Sequence, residues 1–404
     1  MDRAGLVCQE LASQLTSLRV AVVTETYPPE INGVAMTTGR MVDGLVAAGH
    51  RVDLIRPRQT HEGGGIVLGE GADGVEEMLS RGFPIPRYAN LQLGLPARKV
   101  LLRRWAHQRP DVVQVVTEGP LGWSALTAAR KLGLPVISEF HTNFHRYSGH
   151  YGVGWLKRPI AAYLRKFHNR ADLTLVPTRA LCGELVGQGI PRVDVVSRGV
   201  DTSLFDPRRR SDARRRSWGL GPDDLAVVYV GRIAPEKNLA LLERAFLAIQ
   251  ARQPRARLVM VGSGPAQAGM RSRLSGVIFT GPQIGEDLAE HYASGDLFLF
   301  SSLTETYGNV VAEALASGLP VVAYRDAAAQ ELLEHGVHGW LANPGDEAAF
   351  IQGAVTLAEA PELRSRQRLA ARERVASLAW RAIVDRLVDL QRQVILTSPV
   401  SIRR

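Results

Sequence analysis

Short runs rich in β-branched residues alternate with helical stretches along nearly the whole chain. A helix between two strands returns the chain so that the second strand can run parallel to the first, which is typical of an open α/β sheet. The runs form two series. The first comprises residues 20–24, 52–56, 112–116, 136–138, 174–177 and 193–197, and the second comprises residues 226–230, 258–261, 277–280, 297–300 and 320–323.

Two series of strands predict two domains, and a chain of 404 residues is longer than one hydrophobic core usually supports. Between them, residues 206–217 contain Pro207 and six arginines, which is typical of a surface connector. We therefore predict an α/β protein with two doubly wound, Rossmann-like domains that face a central cleft. The predicted domains are 1–200 and 201–375, and a helical segment, 376–404, could pack back on the first domain.

The 49 basic and 40 acidic side chains give a formal net charge of +9, which favours acidic partners such as nucleic acid, anionic lipid or phosphorylated substrates. Cys8 and Cys182 have neither a metal-ligand spacing nor a disulfide framework. No apolar run approaches the roughly 20 residues of a membrane-spanning helix. Residues 1–18 lack the pattern of a signal peptide. We therefore expect a cytoplasmic protein.

The most informative motif runs from Glu305 to Glu313, directly after the predicted strand 297–300. It places one glutamate on a loop and the other inside a helix. Between them, the backbone amides of Gly308, Asn309 and Val310 lie where a helix start could bind a phosphate. Carboxylates suit hydroxyl groups, so we expect them to contact a sugar and a ribose. Taken alone, acids near a helix start are also a common surface feature.

Two basic side chains follow the first strand of the second series, Arg232 and Lys237. A planar guanidinium can grip two oxygens of a diphosphate, and an ammonium adds a point charge. The chain contains no Asp-x-Asp pair that could hold a metal ion for the same purpose. No metal site is therefore predicted.

Three further segments follow predicted strands and carry weaker signals. Gly33 permits close approach of a ligand to the backbone, and Gly262 belongs to a Gly-Ser-Gly loop. His141 and His145 belong to a polar and aromatic cluster after strand 136–138. Each residue is also compatible with a plain turn or a structural role. A third zinc ligand is not found at a suitable spacing.

In this order, the segments resemble the family-four retaining glycosyltransferases of the GT-B fold, from residue 19 to about 395. The family's E-x7-E element resembles Glu305 to Glu313. The segments at 198–201, 231–237 and 313–320 resemble a branch with lipid-linked α-mannosyltransferases and sulfoquinovosyl-diacylglycerol synthases. Two positions depart from the family's pattern: Arg198 replaces a frequent asparagine, and Asn32 replaces the first of two adjacent glycines.

The resemblance implies a retaining, metal-independent hexosyltransferase without a cofactor. GDP-mannose is the favoured donor and a lipid-linked or other glycan the acceptor, whereas a UDP-sugar donor or a non-catalytic nucleotide-sugar binder is the alternative. Glu305 would contact the donor sugar, Glu313 the ribose, and His141 the sugar near the reacting carbon. Arg232 and Lys237 would hold the diphosphate. The remaining donor contacts would come from Gly33, Arg198, Gly262, Gly308, Asn309 and Val310.

Two basic segments, 154–170 and 98–109, carry apolar residues at helical spacing. A basic amphipathic helix can lie on an anionic membrane, and relatives with lipid acceptors favour this interpretation. Segment 154–170 therefore predicts peripheral contact with the inner face of the membrane. The alternative is that both apolar stripes face the core. Nucleic acid is not expected as a partner, because no zinc finger, homeodomain or RNA-binding signature is found.

Overall fold

The structure is a computed structural model that describes residues 17–30, 32–59, 62, 68–70, 74–85, 88–141, 157–303 and 305–398. The described residues form two compact units. Unit 1 takes its residues from 17–141, 158–197 and 380–398, and unit 2 comprises mainly residues 198–379. The candidate residue His145 lies outside the described residues.

Unit 1 is built on a mainly parallel sheet, whose described strands lie in the order β10-β9-β8-β7-β1-β2-β4-β3. Only β3 runs antiparallel to its neighbour among these strands. The strands are β1 (Arg19–Val23), β2 (Arg51–Pro57), β3 (Leu68–Glu70), β4 (Val75–Ser80), β7 (Val112–Val115), β8 (Val136–Glu139), β9 (Leu173–Val176) and β10 (Val193–Val195). A separate hairpin pairs β5 (Gly82–Ile85) with β6 (Tyr88–Gly94).

Helices cover the sheet of unit 1, as the alternation of strands and helices predicts. They are α1 (Gly33–Ala47), α2 (Arg98–His107), α3 (Pro120–Leu132), α4 (Lys157–His168), α5 (Arg179–Gly187) and, near the end of the chain, α14 (Trp380–Thr397). Leu387 and Val394 of α14 are buried in the same apolar cluster as Val42 of α1. The two helices approach closely at Gly44, where an added Cβ would lie 2.4 Å from Val384 Cγ2.

Unit 2 contains a second, parallel sheet, whose described strands lie in the order β13-β12-β11-β14-β15-β16. The strands are β11 (Ala226–Val230), β12 (Arg257–Val261), β13 (Val277–Gly281), β14 (Leu297–Phe300), β15 (Val321–Tyr324) and β16 (Gly339–Ala342). Strand order reverses direction beside β11, and open α/β sheets bind ligands at the carboxyl ends of strands near such a reversal.

Helices also cover the sheet of unit 2, and apolar clusters fill both of its faces. The helices are α6 (Asp212–Ser217), α7 (Leu239–Arg252), α8 (Gln267–Arg273), α9 (Gly285–Ala293), α10 (Asn309–Ala316), α11 (Ala327–Leu332), α12 (Glu347–Glu359) and α13 (Pro361–Val375). Arg372 of α13 holds the segment just before the charged connector. Its guanidinium donates to the carbonyl oxygens of Thr202 and Phe205 at 2.8 Å.

The predicted fold class, with two Rossmann-like sheets, is confirmed. The sequence interpretation missed strands β3 to β6 and β16, which lie outside the two predicted series. Within the described part of the chain, no helix combines the length and the apolar character needed to cross a membrane.

Candidate active site

The loop after β14 leads into α10 and carries the motif from Glu305 to Glu313. Gly308 is the N-cap of α10 and has φ +89°, a left-handed conformation that glycine adopts without strain. Helix α10 therefore begins at Asn309, and Asn309 and Val310 lie in its first turn. The N–H groups of a first turn form the positive end of the helix dipole. Gly318, with φ +75°, follows the end of the helix, where a glycine in the left-handed conformation is common.

Lys237 and Glu305 lie in direct contact, although 68 positions separate them in sequence. Lys237 Nζ is paired with Glu305 Oε1, and both side chains are largely buried. The strands that precede them, β11 and β14, are neighbours in the sheet. Ser301 Oγ also donates to the carbonyl oxygen of Lys237 at 2.9 Å. The sheet therefore brings an ammonium group to the carboxylate of the motif.

Arg232 lies on the same loop as Lys237, and its side chain is 41% exposed. Its Nη1 is 3.4 Å from Oε1 of the buried Glu236. Tyr229 supports the loop from below, because its hydroxyl donates to the carbonyl oxygen of Arg232 at 2.9 Å. Burial, followed by the charges of Glu305 and Glu236, raises the pKa of Tyr229 well above its usual range. Tyr229 therefore stays neutral and acts as a hydrogen-bond donor.

Glu313 lies on α10 and accepts a hydrogen bond at Oε2 from the hydroxyl of the buried Tyr292, at 2.8 Å. Burial raises the pKa of Glu313 to about 7, although the hydrogen bond from Tyr292 acts in the opposite direction. Near neutral pH the carboxyl group is therefore present in both protonation states. Such a group can accept from a hydroxyl when charged and donate to one when protonated.

The loops after β11 and β12 interlock through their backbones. Gly231 N donates to the carbonyl oxygen of Val261 at 3.0 Å, and Ile233 N donates to that of Ser263 at 2.9 Å. Gly262 has φ +136°, and an added Cβ would lie 2.0 Å from the carbonyl oxygen of Gly231. A side chain at Gly262 would therefore force the two loops apart.

Arg198, one of the two residues that depart from the pattern of the similar family, lies beside the motif loop within unit 2. It is 4% exposed, and its carbonyl oxygen is 3.4 Å from the hydroxyl of Tyr307, which donates to it. Tyr307 is itself held by its carbonyl oxygen, which accepts from Ala328 N at 2.8 Å. Arg198 is thus part of the support of this loop.

His141 and Gly33 belong to unit 1 and follow its strands. His141 comes two residues after the end of β8, and its Nε2 lies 2.8 Å from Oε2 of the buried Glu139. Gly33 is the first residue of α1, and Asn32 is the N-cap. Asn32 Oδ1 accepts from Ala35 N at 2.9 Å, while Nδ2 donates to Thr26 Oγ1 at 2.7 Å. The side chain of Asn32 thus forms two hydrogen bonds within this loop, which a glycine at this position could not form.

Apolar side chains of the two predicted basic segments pack in the core of unit 1. Residues 154–156 lie outside the described residues, but in α4 both Leu164 and Phe167 are buried, as are Leu101 and Trp105 in α2. Lys166 and Arg170 lie over the ring of Trp123, at 5.9 and 5.0 Å from its centroid. The core alternative therefore accounts for these four apolar side chains.

Within unit 2 the structure brings Arg232, Lys237, Glu305, Gly308 and Gly262 to the carboxyl ends of adjacent strands. Sequence reasoning missed the tyrosines that support this edge, Tyr229 and Tyr292. The sequence does not distinguish a tyrosine whose hydroxyl donates to a site residue from one that only fills the core. It also gave no role to Glu139, although this residue lies between the predicted strand 136–138 and His141. Among the described residues, no group of three potential ligand side chains is placed to hold a metal ion.

Comparisons with known proteins identify the relatives of this chain. Residues 31–204 match the family described as Glycosyltransferase Family 4, and residues 224–360 match Glycosyl transferases group 1. A GDP-mannose-dependent alpha-mannosyltransferase of Mycobacterium tuberculosis is 36% identical, over 93% of this chain and 96% of that protein. A sulfoquinovosyl transferase of Arabidopsis thaliana is 34% identical, over 92% of this chain and 73% of that protein.

Among solved structures, a sucrose-phosphate synthase of Thermosynechococcus elongatus has the same fold, with a TM-score of 0.76. It is 19% identical, and the match covers 94% of this chain and 100% of that chain. The predicted GT-B architecture is therefore confirmed. The sequence matches therefore show that the chain is a glycosyltransferase of family 4.

Proposed function

We propose that this glycosyltransferase moves mannose from GDP-mannose to a hydroxyl group of a lipid-linked or other glycan acceptor, with retention of configuration and without a metal ion. The observation that carries the proposal is the contact between Lys237 and Glu305 beside the start of α10. This contact supports the proposal because an ammonium group suits a diphosphate and a carboxylate suits sugar hydroxyls. The 36% identity to a GDP-mannose-dependent enzyme favours this donor.

In the proposed reaction the bond between the anomeric carbon and the diphosphate oxygen breaks, and the acceptor oxygen forms a bond to that carbon on the same face. The acceptor's proton passes to an oxygen of the leaving diphosphate, so no protein base is assigned. Negative charge grows on the diphosphate as the bond breaks. Lys237, Arg232 and the first-turn amides of α10 would stabilise that charge from fixed positions.

The remaining roles follow from the chemistry of each group. Glu305 would accept hydrogen bonds from sugar hydroxyls, and Glu313 would bind the ribose. Gly262 and Gly33 would allow the donor to approach the backbone closely, Arg198 would support the donor side, and His141 would contact the sugar near the reacting carbon. No cofactor is needed for this transfer.

We propose a cytoplasmic enzyme that meets its acceptor at the membrane surface. Arg98, Lys99 and Arg103 of α2 and Arg158 and Arg165 of α4 are exposed. Leu101 and Trp105 of α2 and Leu164 and Phe167 of α4 are buried, although Tyr163 is exposed. Attraction to anionic lipid would therefore be mainly electrostatic. Binding to anionic vesicles should then weaken steeply as salt is added, and equal binding to neutral vesicles would contradict this.

The second candidate is a UDP-sugar-dependent transferase, which the 34% identity to a sulfoquinovosyl transferase favours. Thermal unfolding with GDP, UDP and ADP separates the two candidates. A nucleotide at 100 times its Kd stabilises the folded protein by about 2.7 kcal/mol. We expect the largest shift with GDP, and a larger shift with UDP would favour the second candidate.

A binding protein without catalysis is the alternative of another class. It would bind the nucleotide sugar without forming a product, whereas the enzyme should release GDP from GDP-mannose when an acceptor is present. Release of GDP in the presence of glycolipid acceptors, measured with a coupled assay, therefore tests the proposal. Tight binding without release for every donor and acceptor would contradict it.

A further inference from the structure

A network of buried polar side chains crosses unit 1 from α14 to His141. Gln391 Nε2 donates to Gln114 Oε1 at 2.8 Å, and Gln114 Nε2 donates to Glu139 Oε1 at 2.5 Å. The other oxygen of Glu139 lies 2.8 Å from His141 Nε2. Gln391, Gln114 and Glu139 are 0%, 1% and 2% exposed. This network thus joins four side chains, which lie on or directly after two strands and on one helix.

The direction of the hydrogen bonds follows from the chemistry of the groups. An ionised carboxylate can only accept, so Gln114 must turn its NH2 group towards Glu139. Its carbonyl oxygen then faces Gln391, which donates in turn. Gln391 therefore donates to Gln114, and Gln114 donates to Glu139. Glu139 Oε2 lies 2.8 Å from Nε2 of His141, a distance at which a proton on Nε2 can be shared with the carboxylate.

The stability of the fold alone does not explain why this polar network is buried. Gln391 lies between Leu387, Leu390 and Val394, which pack into the apolar core of unit 1. Buried polar groups cost free energy unless they are fully hydrogen-bonded, and well-packed apolar residues often serve a core equally well. Buried networks are, however, well suited to fixing the orientation of a functional side chain.

We propose that Glu139 is a positioning residue that fixes the ring orientation and the protonated nitrogen of His141, and that Gln114 and Gln391 hold Glu139 in place. This inference rests on the proposed function, in which His141 contacts the donor sugar. It gives α14 a part in the transfer, because Gln391 acts on His141 through the two side chains between them. Neither glutamine nor Glu139 touches the substrate in this account.

A double-mutant cycle separates positioning from general support of the fold. Glu139→Gln keeps the volume but removes the charge, and we expect kcat to fall by about tenfold or more, with GDP affinity within about twofold. If Glu139 acts through His141, the same substitution in a His141→Ala background should cause no further loss. Losses that multiply would overturn the inference.

The contribution of α14 is tested with a matched pair of variants. Gln391→Met preserves the length of the side chain but removes the hydrogen bond to Gln114. It should lower kcat only when His141 is present. Arg386→Ala is the control, because Arg386 lies on the same helix but pairs with Asp194 at 3.0 Å. Equal kcat in wild type and Gln391→Met, or equal losses in both variants, would overturn the role of α14. Gln391→Met also serves as the second probe if Glu139→Gln does not fold.

Nitrogen NMR of the histidine ring tests the inference without any turnover. The signal of His141 is assigned by its loss in His141→Ala. We expect a proton on Nε2 in the wild type and a changed pattern in Glu139→Gln or Gln391→Met. If the signal changes while no donor is turned over, the proposed function fails and the positioning stands. An unchanged His141 signal in both variants overturns the positioning, even in an active enzyme.

Discussion

At the scale of the residue, Lys237 and Glu305 show how the sheet assembles the site. Their positions follow strands that are neighbours in the sheet but lie far apart in sequence. Pairing holds both side chains in place before a substrate arrives. A cation fixed in this way does not need to reorganise when charge develops on a leaving group, and this is the usual source of electrostatic catalysis.

Removing either cation or the paired carboxylate should therefore slow the reaction. We expect Lys237→Ala, Arg232→Ala and Glu305→Ala each to cut kcat by about tenfold or more, which is about 1.4 kcal/mol of transition-state stabilisation. Steady-state rates of GDP release measure this. Arg244→Ala is the control, because Arg244 forms an exposed ion pair with Glu347 in the same unit. Wild-type rates in all three variants would contradict the assignment.

Glu25 carries a second prediction, on the pH dependence of stability. It is buried, and its Oε1 accepts from Leu121 N at 2.9 Å, in the first turn of α3. Burial raises the pKa of Glu25 to about 7, although hydrogen bonds from backbone amides act against this. Between pH 4.5 and 7 the folded state therefore holds more protons than the unfolded state, and Glu25 lowers stability as pH rises through this range.

Glu25→Gln removes this titration, so the variant should gain stability relative to the wild type as pH rises. Between pH 5 and pH 8 we expect a relative gain on the order of 2 kcal/mol. Urea denaturation at both pH values measures it. Glu313 also has a raised pKa, but it is present in both proteins and cancels in the difference. A difference in stability that is the same at both pH values would contradict the prediction.

At the scale of the element, the site depends on how two βα loops fit together. Gly262 meets the backbone of Gly231, whereas Gly281, which also has a positive φ, has open space where a Cβ would be. Both replacements by alanine strain the backbone, but only one also separates the loops. The two glycines therefore form a natural comparison of the same substitution.

Gly262→Ala should cost at least about 2 kcal/mol in the free energy of unfolding, and Gly281→Ala about 1 kcal/mol. Gly262→Ala should also weaken GDP binding, because it displaces the loop that carries Arg232 and Lys237. Calorimetric titration with GDP and thermal unfolding measure the two effects. Equal effects of both substitutions would show that the contact between the loops is unimportant.

Strands with strong β-branched runs could be predicted from the sequence, and the others could not. Residues 226–230 and 297–300 are buried strands whose composition alone identifies them. Strand β16, by contrast, begins with a glycine and takes its place by pairing with β15. The same limit applies to Glu139 and Tyr292, whose partners depend on contacts between distant segments rather than on a local pattern.

At the scale of the whole molecule, each of the two units is built on its own Rossmann-like sheet, and candidate site residues of unit 2 lie at the carboxyl ends of its strands. The order of the motifs along the chain was sufficient to predict the fold class and the family. The donor nucleotide, the acceptor and the stereochemistry depend on the shape of binding surfaces, to which side-chain identity is a poor guide. The proposed membrane contact likewise depends on which charged side chains stay exposed once apolar neighbours are buried.

The central claim is that basic side chains, rather than a metal ion, hold the diphosphate of the donor. The most direct test is the rate of GDP release from GDP-mannose, with a panel of glycolipid and diacylglycerol acceptors, in the presence of excess EDTA. The account predicts that the wild type keeps most of its rate and that Lys237→Ala loses about tenfold or more under the same conditions. Complete loss of wild-type activity with EDTA, restored by magnesium or manganese, would contradict it.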